Sequence, residues 1–320
     1  LQLEGVGKTY RLDDRLLARL TGRTRSLAAV SEVDLVLNRG DVLGVVGESG
    51  CGKSTLARMI LGMETPTAGR IRFDGQDITA LSRAALIPIR KRMQMVFQDP
   101  GGSLNPRKTV RRVLTESLGL ADVPPQERAG AAVSLLERVG LNATQLDRYP
   151  HELSGGQRQR VAIARALAMS PDLIVADEPV SALDVSLQAQ IIRLLMQLRD
   201  ELGLTLIFIS HDLALVHHLC GEVAVMQAGR IVERGAPSDV LHHPAHAYTR
   251  LLLDAVPRVD LPRGPALRGK GPVRRGRPCP DLWAGGCAVP KSRLHGSRHR
   301  PPAIRRRRAG RVRDHDAAGL

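Results

Sequence analysis

Gly47-Glu48-Ser49-Gly50-Cys51-Gly52-Lys53-Ser54-Thr55 decides the reading of this chain. The stretch fits G-x-x-x-x-G-K-[ST], with Gly47 and Gly52 framing it. An apolar β-type run, Val42-Leu43-Gly44-Val45-Val46, leads in. Leu56, Met59, Ile60 and Met63 lead out at helical spacing. In a strand, glycine loop and helix arranged this way, backbone N–H groups surround phosphate oxygens and the helix adds its positive dipole end. Lys53 then supplies a point charge to the β- and γ-phosphates, and Ser54 a hydroxyl to Mg²⁺. The alternative is a glycine-rich turn with a chance lysine. The flanking strand and helix argue against it.

Composition bounds the rest. The 320 residues leave room for one large domain or two ordinary ones. Aromatic residues make up only 2%, so aliphatic side chains must fill the core. No stretch approaches the roughly 18 consecutive apolar residues of a membrane span, and no basic-then-apolar signal opens the chain. It starts at Leu1 rather than Met, so a short upstream piece is expected. The net charge of +15 invites a nucleic-acid reading, but the charge is unevenly placed. Residues 263–320 hold 16 Lys and Arg against 3 Asp and Glu, whereas residues 1–262 hold 31 against 29. The body is nearly neutral, so no nucleic-acid partner is expected. Cysteines at 51, 220, 279 and 287 make no C-x-x-C pair. Neither a zinc site nor a disulfide framework is signalled, and a reducing compartment is the default.

Along the chain, Leu1 to Tyr10 reads as a strand, residues 11–27 as a loop insertion, and Ser31 to Leu37 as a half-buried strand. Arg70 to Phe73 and Met93 to Phe97 read as further strands, the second delivering Gln98. Residues from about 99 to 170 have a helical texture. Apolar runs return at Leu173-Ile174-Val175-Ala176, ending in Asp177-Glu178, and at Leu206-Ile207-Phe208-Ile209, ending in Ser210-His211. Strands alternating with helices imply a mostly parallel sheet covered on both faces. Ligands gather at the carboxyl ends of such strands, where Gln98, Asp177, Glu178, His211 and the glycine loop all fall.

Asp177 and Glu178 suit a division of labour: one carboxylate holds Mg²⁺ while its neighbour polarises water. Alternatively the two acids only cap a strand. Leu153-Ser154-Gly155-Gly156-Gln157 precedes a helix running to about Met169. That helix start is either an anion site or an ordinary cap, and the residues alone do not decide.

Together these motifs resemble the ATP-binding subunit of ABC transporters, over about residues 1–258. Walker A is similar to Gly47–Thr55, the Q-loop glutamine to Gln98, and the signature to Leu153–Gln157. Walker B is similar to Leu173–Asp177, the catalytic glutamate to Glu178, the D-loop to Ser181-Ala182-Leu183-Asp184, and the switch histidine to His211. Tyr10 sits where the family stacks an aromatic on adenine. A narrower resemblance is to dipeptide, oligopeptide and nickel importer ATPases. It rests on Val96–Pro100, Ser103-Leu104-Asn105-Pro106-Arg107, Arg148–Glu152 and His243-Pro244-Ala245-His246-Ala247-Tyr248-Thr249-Arg250.

The resemblance implies an α/β fold: a P-loop NTPase, RecA-like core with a mostly parallel sheet, an N-terminal antiparallel β subdomain and an inserted helical subdomain. It implies ATP and Mg²⁺ as cofactors, with Mg²⁺ held by Ser54, Gln98 and Asp177. Catalysis would fall to Glu178, His211, Lys53 and Gln98. Nucleotide would be bound by Tyr10, Gly47, Glu48, Ser49, Gly50, Cys51, Gly52, Lys53, Ser54, Thr55 and Gln98. Ser154, Gly155, Gly156 and Gln157 of the signature, which completes a second subunit's site, and Asp184 of the D-loop would also bind nucleotide. Expected partners are a second ATPase subunit, two transmembrane permease subunits and an extracytoplasmic solute-binding protein, at the cytoplasmic face of the inner membrane. The implied function is powering peptide uptake. A related nickel or glutathione importer is the alternative, and a soluble non-transport ABC ATPase fits the short insert and single cassette poorly.

Residues 1–262 are thus read as the ATP-binding domain and 263–320 as a separate basic tail. Pro, Arg and Gly dominate the tail, Arg305–Arg308 is unbroken, and nothing in it has the periodicity of a packed element. This composition is what a shifted frame of a GC-rich gene gives. An aberrant or divergent end is therefore preferred to a basic arm gripping lipid or nucleic acid.

Overall fold

The computed structural model describes residues 1–12, 25–99, 102 and 104–255. The basic tail lies outside the described residues. Two sheets carry the fold. The first is antiparallel, with strands β1 (Gln2–Leu12), β2 (Arg25–Val36), β4 (Ala68–Phe73) and β5 (Gln76–Asp77) in the order β2-β1-β4-β5. The second contains β3 (Val42–Val46), β6 (Met93–Val96), β7 (Leu173–Asp177), β8 (Thr205–Ser210), β9 (Glu222–Gln227) and β10 (Arg230–Gly235). Its order is β10-β9-β3-β8-β7-β6, parallel except for the β9–β10 hairpin at one edge.

Strand-face alternation explains the layering. Val42 and Val46 of β3, Ile174 and Ala176 of β7, and Leu206 and Phe208 of β8 point into one hydrophobic core. Leu43 and Val45, Leu173 and Val175, and Ile207 and Ile209 point into the other. Both faces are buried, so these strands read as continuous apolar runs rather than alternating ones. The second core is closed by helix α1 (Lys53–Ile60), through Leu56, Met59 and Ile60, and by the antiparallel sheet, through Leu3, Val6, Val33 and Leu35. Helix α2 (Arg83–Arg92) joins the two sheets in sequence and adds Leu86 and Ile89 to the same core.

The first core is shared with the inserted helices: α3 (Val110–Leu120), α4 (Arg128–Arg138) and α5 (Gly155–Leu167). Leu114, Leu118, Leu136 and Ile163 meet there, each with almost no exposed surface. Helix α6 (Val185–Leu202) and the short α7 (Leu213–Leu219) cover the same face. Helices α8 (Pro237–His242) and α9 (Ala247–Ala255) close the described chain. No helix of the described residues is long and apolar enough to cross a membrane.

The expected fold class holds, with one correction at the first hairpin. Residues 11–27 were expected to form a loop, yet pairing continues through Tyr10↔Leu27, Arg11↔Ser26 and Leu12↔Arg25. Residues 13–24 lie outside the described residues. Arg11, Ser26 and Leu27 on these rungs are exposed, Leu27 by 54%. A rung that buries nothing leaves no period-2 signal to read.

Candidate functional site

The glycine loop ties β3 to α1. A Cβ on Gly52 would sit 2.3 Å from the Ala29 carbonyl oxygen, and one on Gly47 would sit 2.2 Å from that of Met226. Only hydrogen fits where β2 and β9 press on the loop, and Gly52 also adopts a positive φ of 110° as the residue capping α1. Lys53 is buried, and its Nζ donates to the carbonyls of Gly47 at 2.7 Å and Glu48 at 2.8 Å. The loop therefore curls around its own lysine. Beside it lies a cleft of about 340 Å³ lined by Tyr10, Ser49, Gly50, Gly52, Lys53, Ser54, Thr55, Gln98 and Glu178, with Leu27 and Ala29 on its β2 wall.

The strand ends converge as their sequence positions imply. Asp177 closes β7 and accepts the Ser54 hydroxyl; burial raises its pKa above the ordinary carboxylate value, partly offset by that hydrogen bond. Glu178 follows in the left-handed region at φ 46°, a conformation costly for a side chain of its size. Its N–H still donates to Ile209 O on β8 at 3.0 Å. The turn aims its carboxylate back over the sheet end, where Oε2 accepts from Gln98 Nε2 at 3.2 Å and lies 3.4 Å from His211 Nδ1. The carboxylate is mostly covered, whereas His211 is 63% exposed. Gln98, Glu178, Ser54 and Lys53 thus line one cleft, with Asp177 joined to it through Ser54 and His211 beside Glu178.

Tyr10 stands on the cleft wall. Its hydroxyl is hydrogen-bonded to Glu64, and Lys8 Nζ lies 5.3 Å from the ring centre. Burial, reinforced by the Glu64 bond, keeps the phenol protonated above its usual range.

The signature residues do not line this cleft. Ser154 caps α5 in a reciprocal box: its Oγ accepts from Gln157 N at 3.3 Å, and Gln157 Oε1 accepts from Ser154 N at 2.9 Å. So Ser154 is an ordinary cap within its own chain, and it is also exposed. Gly155 and Gly156 pack under Leu183 and Leu187, where a Cβ would come within 3.2–3.3 Å of leucine methyls. Gly155 borders a second cavity, about 300 Å³, with Gln98, Arg158, Pro179 and Leu183. Gln98 alone among the predicted residues borders both cavities. Asp184 caps α6, accepting from Leu187 N and the Ser186 hydroxyl, and these bonds hold its carboxyl below the ordinary value.

One contact at the loop had no sequence signal. Tyr248 on α9 is buried, and its hydroxyl accepts from Glu48 N at 3.1 Å, across 200 residues of chain. The residue belongs to the His243–Arg250 stretch, but nothing in that stretch points to the phosphate loop.

The family model described as ABC transporter matches residues 30–181. A second, described as the C-terminal region of oligopeptide/dipeptide transporters, matches residues 232–288. The chain is 49% identical over 237 residues to the dipeptide transport ATP-binding protein DppF of Escherichia coli (strain K12), covering 74% of this chain and 71% of that one. It is 46% identical over 289 residues to the oligopeptide transport ATP-binding protein AppF of Bacillus subtilis (strain 168), covering 90% and 87%. Among solved structures, the ATP-binding cassette MJ0796, in a dimeric post-hydrolysis state bound to ADP and Pi, aligns with TM-score 0.65 and 29% identity over 74% of this chain and 98% of that one. The protein cbiO1 from Clostridium perfringens, part of the ABC transporter complex cbiONQ, aligns with TM-score 0.64 and 32% identity over 76% and 90%.

Proposed function

The chain belongs to the ABC transporter family as an ATP-hydrolysing subunit of the peptide-import type, and we propose that its cleft is one half of a composite ATP site shared with a second ATPase subunit. The observation that carries this is the split between the two sets of motifs. Lys53, Ser54, Glu178 and Gln98 line one cleft, with Asp177 hydrogen-bonded to Ser54, while Ser154 faces solvent outside it. A helix N-terminus with an exposed serine and two glycines is suited to an anion presented by another chain. Two subunits packed head to tail would each supply the γ-phosphate cap that the other lacks.

Within the half site the roles follow from the contacts. The loop N–H groups and Lys53 bind the β- and γ-phosphates. Tyr10 offers a ring at the cleft edge where adenine would stack. Glu178 orients the attacking water and takes its proton as the new P–O bond forms and the γ-phosphate leaves ADP. Gln98 and His211 hold the Glu178 carboxylate in place until substrate arrives.

The oxygen donors fit Mg²⁺. The Ser54 hydroxyl already meets the Asp177 carboxylate, and Gln98 lines the same cleft. Magnesium there would neutralise charge on the phosphates. Among the described residues no group of three His, Cys, Asp or Glu could hold a metal, so phosphate and water oxygens would complete the shell.

The importer names of its relatives support permease subunits as partners, and an extracytoplasmic solute-binding protein would deliver the peptide. The subunit would then sit on the cytoplasmic face of the inner membrane. Residues 1–262 would form the ATP-binding domain, with residues 263–320 a tail outside it. Glu178→Gln tests the catalytic assignment. It should leave ATP binding intact and lower turnover by about 10²- to 10⁴-fold. Turnover near wild type would remove Glu178 from its role.

A further inference from the structure

Glu48 lies in the phosphate loop, and its peptide is held from both sides. Its carbonyl accepts from Lys53 Nζ at 2.8 Å, and its N–H donates to the Tyr248 hydroxyl at 3.1 Å. Tyr248 is 5% exposed, so water is a poor substitute for that oxygen. A hydrogen bond lost here leaves a partly buried donor unmet.

The helix bearing Tyr248 is itself fastened. Glu233 on β10 accepts from Ala245 N at 2.8 Å, from His246 N at 3.0 Å and from the Thr249 hydroxyl, and Thr249 is fully buried. One carboxylate thus ties the two residues that lead into α9, and Thr249 in its first turn, to β10. Burial works against the Glu233 charge, but the three hydrogen bonds outweigh it and hold the carboxyl below its ordinary value. The path from Glu233 through α9 to Glu48 runs through the region that matches the oligopeptide/dipeptide transporter C-terminal family.

We infer that Tyr248 is a positioning residue for the nucleotide site: its hydroxyl holds the Glu48 peptide, and through it the seat of Lys53, in the shape that receives phosphate. The C-terminal region is therefore a brace for the phosphate loop as well as an appendage to the domain. This rests on the nucleotide-binding reading of the cleft, so the test separates the two.

Mg·ADP binding to the full chain, measured by isothermal titration calorimetry, needs no partner subunit. Failure of the wild-type chain to bind Mg·ADP would overturn the nucleotide reading and the brace with it. If wild type binds, Tyr248→Phe should raise Kd by about three- to tenfold, the range one hydrogen bond carries. In ATP turnover the same variant should raise KM by a similar factor while kcat falls less than twofold. A merely structural tyrosine would lower the melting temperature and leave Kd where it was. Kd within twofold of wild type overturns the brace, whatever happens to stability. A Glu48→Pro background supplies the second check, because proline has no N–H to donate. There, Tyr248→Phe should change Kd by less than twofold, and persistence of its full effect would rule out this contact as the route.

Discussion

Replacing Gly44 by alanine should destabilise the protein although nothing about the local backbone forbids it. Gly44 lies mid-strand in β3, outside the positive-φ positions, so alanine taken alone would stiffen the unfolded chain and help by about 0.4–1 kcal/mol. The space decides otherwise. The new Cβ would lie 2.1 Å from Val216 Cγ1 on α7 and 3.0 Å from Sγ of Cys220, the residue after that helix. Carbon atoms prefer about 3.5–4.0 Å, so the overlap is about 1.5 Å. Val216 is fully buried and β-branched, so it has little rotamer freedom with which to retreat. The helix must move, at the roughly 1–3 kcal/mol of an overpacked core. For a domain of this size that lowers the melting temperature by about 2–10 °C.

The displacement also has a functional reading. Helix α7 begins two residues after His211, which lies 3.4 Å from Glu178, so kcat should fall with stability. Val216→Ala removes the clashing methyl. Urea denaturation of both single variants and the double should show the double less destabilised than the sum by at least about 1 kcal/mol. Wild-type stability for Gly44→Ala, or plain additivity with Val216→Ala, would refute the argument.

Two further outcomes follow from the charged groups. Asp177 has a raised pKa, so ionising it in the folded state opposes folding. That cost is fully present above the folded value and disappears as pH falls below the unfolded value of about 3.9. Asp177→Asn should therefore raise the melting temperature of the nucleotide-free chain at neutral pH, with the gain shrinking on acidification, while turnover drops at least about 100-fold. A lower melting temperature at neutral pH would contradict this. Glu233 is the opposite case. Its lowered pKa stabilises the fold above the unfolded value and loses that contribution as pH falls through the folded value. Glu233→Gln should cost about 1–2 kcal/mol near neutral pH and little at acidic pH, by denaturation midpoints, and a pH-independent loss would count against the carboxylate's role.

Much of the site was legible because its chemistry is local. The glycine loop, Gln98, Asp177-Glu178 and His211 each sit at the end of an apolar run, and parallel strands bring such ends together. Ser154 and Gln157 announced a helix start, and the box between them is what the spacing promises. The hairpin of β9 and β10 was not legible. Its turn uses positive φ at Ala228 and Gly229, and alanine is no signal for that conformation. The outer rungs of β1 and β2 stayed hidden because Arg11, Ser26 and Leu27 are exposed and leave no alternating pattern. Tyr248 was hidden for another reason: its partner is 200 residues away, and only the folded sheet brings them together. The left-handed turn at Glu178 was equally silent, since it follows from the fit between β7 and β8 rather than from residue type.

The composite site itself is tested by the mass of the Glu178→Gln chain in solution, measured by light scattering with Mg·ATP and with Mg·ADP, alone and mixed with the second ATPase subunit. A composite site gives a paired species with Mg·ATP and single chains with Mg·ADP, because only the γ-phosphate reaches the signature helix of the facing subunit. Single chains under both nucleotides, alone and in the mixture, would contradict it.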